Sequence, residues 1–218
     1  MCLIVLAWRK HPDLPLIVAA NRDEFHARPA APAAFWEDQP AILAGRDLEA
    51  RGTWMGVSRS GRFAAVTNFR GAHEPRAAES RGSLVTRFLA GTKKPAPYIA
   101  QLQNTLYSGF NLLATDGEEL WWTSNRDGTP RNLAPGIYGL GNALLDSPDV
   151  ESSKQAFAEA IPAVEVLFSV LAKAKILNPQ YGTRCSTVLL KGERTRYVER
   201  SFNPDGSEVD TRHFDFRT

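Results

Sequence analysis

Cysteine is scarce: 218 residues contain two, Cys2 and Cys185. Two thiols exclude a disulfide framework and make a reducing compartment, the cytoplasm, the expected location. Histidine is scarce too. His11, His26, His73 and His213 are scattered without metal-ligand spacing, so no metal is expected. Neither sign of charge dominates, and a net charge of +2 removes the whole-protein case for nucleic acid. No apolar run approaches the ~20 residues of a membrane-spanning helix, and Arg9 and Lys10 interrupt the stretch that would open a secretory signal. The phosphate-cradling GxxxxGK(S/T) loop, GxGxxG and GxSxG are missing, as are repeats, heptads and low-complexity tracts. What is present suits a globular core: 43% hydrophobic and 23% charged residues, enough chain for one domain over 1–218.

The apolar runs Leu3 to Trp8 and Leu14 to Ala20, separated by His11-Pro12-Asp13, predict a hairpin. It brings Cys2 and the tetrapeptide Asn21-Arg22-Asp23-Glu24 to one end, with Asn21 and Glu24 just past the second strand. Pro29, Pro32 and Pro40 predict a surface loop after it. Gly52–Ser58 and Arg62–Phe69 predict a second hairpin that turns at Ser60-Gly61 and ends near Asn68. Helices are predicted over Ser83–Ala90, stopped by Gly91, and over Pro97–Tyr107. Strands Phe110–Thr115 and Glu119–Ser124 join at Asp116-Gly117, and a glycine-rich strand Gly136–Asn142 ends in an amide. Ser147 and Pro148 predict a capped helix to about Ala160, and Pro162 opens another to about Lys175. Three strands follow, Thr183–Leu190, Thr195–Ser201 and Glu208–Phe216, with a turn at Asn203-Pro204-Asp205-Gly206. Adjacent hairpins with paired helices point to an α+β architecture of two helix-covered sheets, not an alternating parallel sheet.

Cys2 admits two readings. With Met1 removed, one residue carries a thiol of pKa about 8.5 and an α-amine of about 7.7–8.0 that can take its proton. Otherwise it is a small buried thiol at the start of a strand. Asn68 and Asn142, at two strand ends, are candidate amide donors to an oxyanion or ordinary turn residues. Arg184 opens a late strand beside Cys185, and an arginine beside a thiol lowers its pKa. Arg51, Arg59, Arg62, Arg70, Arg76, Arg81 and Arg87 share a stretch with only Glu74 and Glu79 as acids. That stretch is a clamp for an anionic ligand or a solvated face.

The motifs Met1-Cys2-Leu3-Ile4, Ala19-Ala20-Asn21-Arg22-Asp23-Glu24-Phe25, Arg28-Pro29, Gly52-Thr53-Trp54-Met55-Gly56, Thr67-Asn68, Arg81-Gly82-Ser83, Tyr138-Gly139-Leu140-Gly141-Asn142 and Tyr181-Gly182-Thr183-Arg184 run through the chain. Together they resemble the NRDE family, the transport and Golgi organisation protein 2 family. Arg51, where a glycine is common, and Asp149-Val150, in place of a frequent tryptophan, depart from its pattern. The family is similar to cysteine N-terminal nucleophile hydrolases such as bile salt hydrolase and penicillin V acylase. That resemblance implies a four-layer αββα fold and an acyl-enzyme on Cys2, formed from an amide or thioester. It implies oxyanion roles for Asn68 and Asn142, Arg184 beside the nucleophile, and Asn21 and Glu24 where relatives carry an arginine and an aspartate. Arg22, Asp23, Arg70 and Arg81 are assigned to the ligand. No cofactor is expected. The eukaryotic members imply an alternative, a carrier for haem or acyl-coenzyme A-like anions, served by Cys2, by His26 or His73, or by the arginines. A scaffold without small-molecule function is the third reading.

Overall fold

Alternating patterns and unbroken apolar runs build the described residues into thirteen strands and a few short helices. The computed structural model describes residues 2–71 and 77–218. The first hairpin is β1 (Leu3–Trp8) and β2 (Leu16–Phe25). Next come β3 (Ala30–Phe35), β4 (Ile42–Asp47), β5 (Met55–Ser58) and β6 (Phe63–Asn68). Helices α1 (Gly82–Ala90) and α2 (Pro95–Ala100) precede β7 (Phe110–Thr115), β8 (Leu120–Ser124) and β9 (Arg131–Asn132). The chain ends with β10 (Gly136–Leu140), α3 (Glu151–Ala160), α4 (Val164–Lys173), β11 (Tyr181–Lys191), β12 (Arg194–Phe202) and β13 (Glu208–Arg217). These elements divide into two compact units. One comprises Met1–Arg28, Pro135–Gly141 and Leu145–Thr218, the other Pro29–Ala134 and Asn142–Leu144.

The first unit is a six-stranded antiparallel sheet in the order β10-β1-β2-β11-β12-β13. Leu3, Val5, Ala7, Ile17, Ala19, Val188 and Val198 share one face and pack against Phe157 of α3 and Leu167 and Leu171 of α4. Residues of the other parity, such as Ile4, Leu6 and Val18, are buried as well. Burial on both faces is why β1 and β2 read as unbroken apolar runs rather than as alternation.

The second unit is a seven-stranded antiparallel meander, β3 to β9 in sequence order. Leu84, Val85, Phe88 and Leu89 of α1, at the predicted helical spacing, meet Ile42, Ala44, Ala64, Val66, Leu112 and Ala114 of the sheet. Gly61 turns the β5–β6 hairpin in the left-handed region, at φ 81°. Arg51 also stands there, at φ 65°, a conformation that favours the glycine common at this place in the family.

Several expectations are corrected. Asn21 to Glu24 lie inside β2, not past it, because the strand continues to Phe25 against β11. The proline-rich stretch is not a loop: it forms edge strand β3, with Pro32 where the register shifts between Ala31 and Ala34. An edge strand with a bulge tolerates a missing N–H, and β4, unforeseen, pairs on its other side. The helix expected over Pro97–Tyr107 is the six-residue α2 followed by one 3-10 turn. Carbonyls of Asn104, Tyr107 and Ser108 are drawn to Asn125 Nδ2, away from a continuing helix. Ser147 does not cap α3. Its hydroxyl bonds the Asp149 carboxylate, Pro148–Val150 forms a 3-10 turn, and α3 starts at Glu151. In α4 the buried stripe takes Val164 and Phe168 and leaves Val166 exposed.

Gly52 meets Gly82 at the start of α1 so closely that a Cβ on Gly52 would lie 2.7 Å from the Gly82 carbonyl carbon. Backbone cannot retreat as a flexible side chain would. Gly52→Ala is therefore expected to destabilise the protein by about 1–3 kcal/mol, read as a lower urea midpoint with an unchanged slope.

Candidate functional site

Antiparallel pairing of β1 with β2 puts Leu3 opposite Asn21, so Cys2 sits where the ladder ends beside the tetrapeptide. Its thiol takes over the next pairing. Cys2 Sγ donates to the Asp23 carbonyl at 3.3 Å and accepts from the Asp23 N–H at 3.4 Å. Asp23 is itself held from β11: Thr183 Oγ1 donates to Asp23 Oδ1 at 2.6 Å, and the Tyr181 hydroxyl donates to the Asp23 carbonyl at 3.2 Å. Tyr181 and Thr183 were not singled out from the sequence as site residues. The available signal was their place in the Tyr-Gly-Thr-Arg motif.

Successive strand residues point to opposite faces, and this splits the tetrapeptide. Asn21 is buried on the helix side, where Nδ2 donates to Leu171 O of α4 at 2.9 Å and Oδ1 accepts from Ser186 Oγ at 2.7 Å. Arg22 is the buried cation whose charge reaches the thiol. Within the motif, Asp23 bonds the thiol and Arg22 reaches it as a charge, while Asn21 turns to α4 and β11. Glu24 lies 3.8 Å from Arg22 and 4.0 Å from Arg28, and its Oε1 accepts from the Phe25 N–H at 2.9 Å.

Arg184 is the extra residue of a β-bulge, since Thr183 pairs with Asp23 and Cys185 with Arg22. Its Nη1 donates to three carbonyls, Phe25 at 3.0 Å, His26 at 3.2 Å and Arg28 at 3.0 Å, fastening the turn after β2. Burial, then the nearby Arg22 charge, holds Arg184 below its ordinary pKa. The Arg184 and Cys185 charges favour one another, but desolvation outweighs this at both groups. Burial first, and then the Asp23 carboxylate, push the Cys2 thiol up to about 11, against the opposing backbone bond from Asp23 and the charge of Arg22. Cys185 is buried and pushed well up by the same desolvation, with Glu199 adding to it.

The second unit carries the other candidates. Asn68 ends β6 and is exposed. Its carbonyl accepts from Asn142 Nδ2 at 2.7 Å, and the Arg70 N–H donates to the Asn142 carbonyl at 2.7 Å. One of the two Asn142 amide hydrogens is thus engaged. Asn111 Nδ2 donates to Ala143 O at 2.9 Å and to Thr67 Oγ1 at 3.2 Å, tying residues 142–144 to β7. Arg81 Nη1 donates to Gly109 O at 3.2 Å.

Among the described arginines of the rich stretch, Arg62 and Arg87 line one cavity, and each has partners. Arg62 is buried against Phe88, Arg87 pairs with Glu79 at 3.0 Å, and Arg59 stacks on Phe35 with its guanidinium 3.8 Å from the ring centre. Met1, His73, Glu74 and Arg76 lie outside the described residues. Among the described residues no cluster of His, Cys, Asp and Glu could hold a metal, and no helix is long and apolar enough to cross a membrane.

A family model described as Transport and Golgi organisation 2 matches residues 1–180. The Transport and Golgi organization protein 2 homolog of Bos taurus is 34% identical, covering 100% of this chain and 99% of that protein. The chain belongs to this family. Among solved structures, penicillin V acylase from Agrobacterium tumefaciens has a TM-score of 0.56 at 13% identity, with 99% of this chain and 86% of that one covered. The C2A mutant of conjugated bile acid hydrolase from Clostridium perfringens has a TM-score of 0.57 at 9% identity, covering 98% and 97%. At these identities the likeness is one of fold: α+β, the αββα type of the N-terminal nucleophile hydrolases.

In an N-terminally extended form that keeps Met1, alkylation of Cys2 by iodoacetamide is expected to rise about tenfold per pH unit from pH 7 to 10, as a thiol of raised pKa ionises. Asp23→Asn removes a charge that raises this pKa and speeds alkylation at fixed pH. A plateau below pH 9, or an unchanged rate in Asp23→Asn, contradicts this account. Asn21→Ala strands buried partners on α4 and β11 and is expected to lower unfolding stability by about 2–3 kcal/mol, measured by urea denaturation.

Proposed function

We propose that this protein hydrolyses or transfers an acyl group from an amide or thioester through an acyl-enzyme on Cys2. The observation that carries the reading is the thiol itself, bracketed by the N–H and C=O of Asp23 at the end of the first hairpin within the field of Arg22. A thiol pushed up to about 11 is protonated at neutral pH and needs a base. Removal of Met1 supplies one on the same residue. The freed α-amine takes the thiol proton, the thiolate attacks the acyl carbon, and a C–S bond forms. The leaving amine or thiol departs with the proton. Water or an acceptor then attacks the thioester and releases Cys2. Arg22, as a buried fixed cation, favours the thiolate over the thiol. Asn68 and Asn142 keep the oxyanion role implied by the resemblance.

The carrier reading, drawn from the resemblance, would use Cys2, His26 or His73, or the arginines, of which Arg59, Arg81 and Arg87 are each engaged by carbonyls, a ring or Glu79. The enzymatic reading therefore stands first.

Intact-mass analysis of the protein expressed without an N-terminal tag is expected to show loss of one methionine residue. A thioester or activated-amide probe should then add its acyl group to Cys2 and not to Cys185. Cys2→Ala should abolish the adduct, and Arg22→Gln should slow it by about 10²-fold or less. Met1 retained in a protein that still forms the adduct, or acylation at Cys185, would overturn the mechanism.

A further inference from the structure

The second unit contains a cavity of about 640 Å³ whose described lining comes from the β5–β6 turn, α1, α2 and the segments flanking the two helices. None of its residues belongs to the Cys2 group. Its walls carry three rings, Phe88, Tyr98 and Tyr107, and three cations, Arg62, Arg87 and Lys93, against one carboxylate, Glu79. Phe88 and Tyr98 meet edge to face with centroids 5.1 Å apart, and Arg62 stacks 3.9 Å from the Phe88 ring centre. Glu79 is spent on Arg87, with contacts of 3.0 and 3.1 Å, and accepts from Ser83 as well. Arg87 Nη1 also donates to the Tyr107 hydroxyl at 2.9 Å.

The other two cations face neutral acceptors. Arg62 is 7% exposed. Its Nε donates to Phe88 O at 2.9 Å and its Nη2 to Lys93 O at 2.6 Å, leaving Nη1 with no assigned acceptor among the described residues. These carbonyls, at and just past the C-terminus of α1, offer only partial negative charge. Burial holds Arg62 below its ordinary pKa, against the field of Asp116, to which it is not bonded. Exposed Lys93 donates to the neutral Gln101 side chain. A guanidinium in an aromatic-walled cavity with no carboxylate bonded to it favours an anion that can reach it and share the wall. The volume is within the range of about 300–1,000 Å³ typical of small-molecule sites.

We propose that this cavity is a second ligand site, which takes a small aromatic carboxylate with its ring against Phe88, Tyr98 and Tyr107 and its carboxylate toward Arg62 and Lys93. The aromatic body is matched by ring faces and edges, and the single negative charge by the two cations that Glu79 does not neutralise.

Isothermal titration of the full chain with 1-naphthoate, naphthalene-1-carboxamide and cyclohexanecarboxylate tests this. Naphthoate should bind saturably with one-to-one stoichiometry, and the other two should bind at least about tenfold more weakly. Lys93→Glu, an exposed change, should weaken naphthoate by about tenfold or more, and Arg62→Met, with folding checked by circular dichroism, by more. Cys2→Ala should leave naphthoate binding unchanged, which separates this site from the acyl chemistry. Equal affinity for the carboxamide, non-saturable uptake, indifference to Lys93→Glu, or loss of binding in Cys2→Ala would each overturn the assignment.

Discussion

Two strands as apolar as β1 and β2 can pair in either parity, and the observed pairing, Leu3 opposite Asn21, decides what Cys2 meets. A slip of one residue exchanges the two faces of a strand. It would send Arg22 to the helix side and strand Asn21 away from Leu171 and Ser186. The register is defended by those two Asn21 bonds and by the apolar face packed on α3 and α4. Asn21 thus contributes to the site by fixing a strand rather than by touching the thiol. The bulge at Arg184 is the second device: one unpaired residue in β11 turns its guanidinium toward the carbonyls of Phe25, His26 and Arg28.

Electrostatics at Cys2 are a contest with a definite winner. Desolvation and the Asp23 carboxylate favour the neutral thiol, whereas Arg22 and the Asp23 backbone favour the thiolate, and the balance leaves the thiol at about 11. A thiol in that state is guarded from adventitious chemistry at neutral pH. It becomes a nucleophile when something adjacent accepts its proton, and an α-amine on the same residue meets that need without any further side chain. In the proposed acyl transfer, catalysis would depend on exposure of the Cys2 amine as much as on the fold.

Legibility followed the physics of local pattern. The hairpin of β1 and β2, helix α1, and strands β7, β8, β11, β12 and β13 were readable because alternation, helical spacing and turn residues are local signals. Strand β3 was not, because a proline argues against a strand unless the strand lies at an edge, and edge position belongs to the sheet. Helix α2 was overdrawn because the pull of Asn125 on the carbonyls of Asn104, Tyr107 and Ser108 comes from beyond the segment itself. Of the cavity in the second unit only Arg62 and Arg87 of the arginine-rich stretch were visible in the sequence, since its rings and Lys93 come from separate elements.

By itself the sequence determined the strand-rich α+β class and the meeting of Cys2 with the tetrapeptide, which follow from residue type, period and spacing, and its motifs carried the resemblance to the family. Only the tertiary structure decided that Asp23 and Arg22 reach the thiol while Asn21 turns to the helices. Facing in a strand is settled by pairing across β1, β2 and β11 and by a bulge at Arg184. The thiol's raised pKa was decided there too, because desolvation depends on what surrounds Cys2 in space and not on its neighbours in sequence.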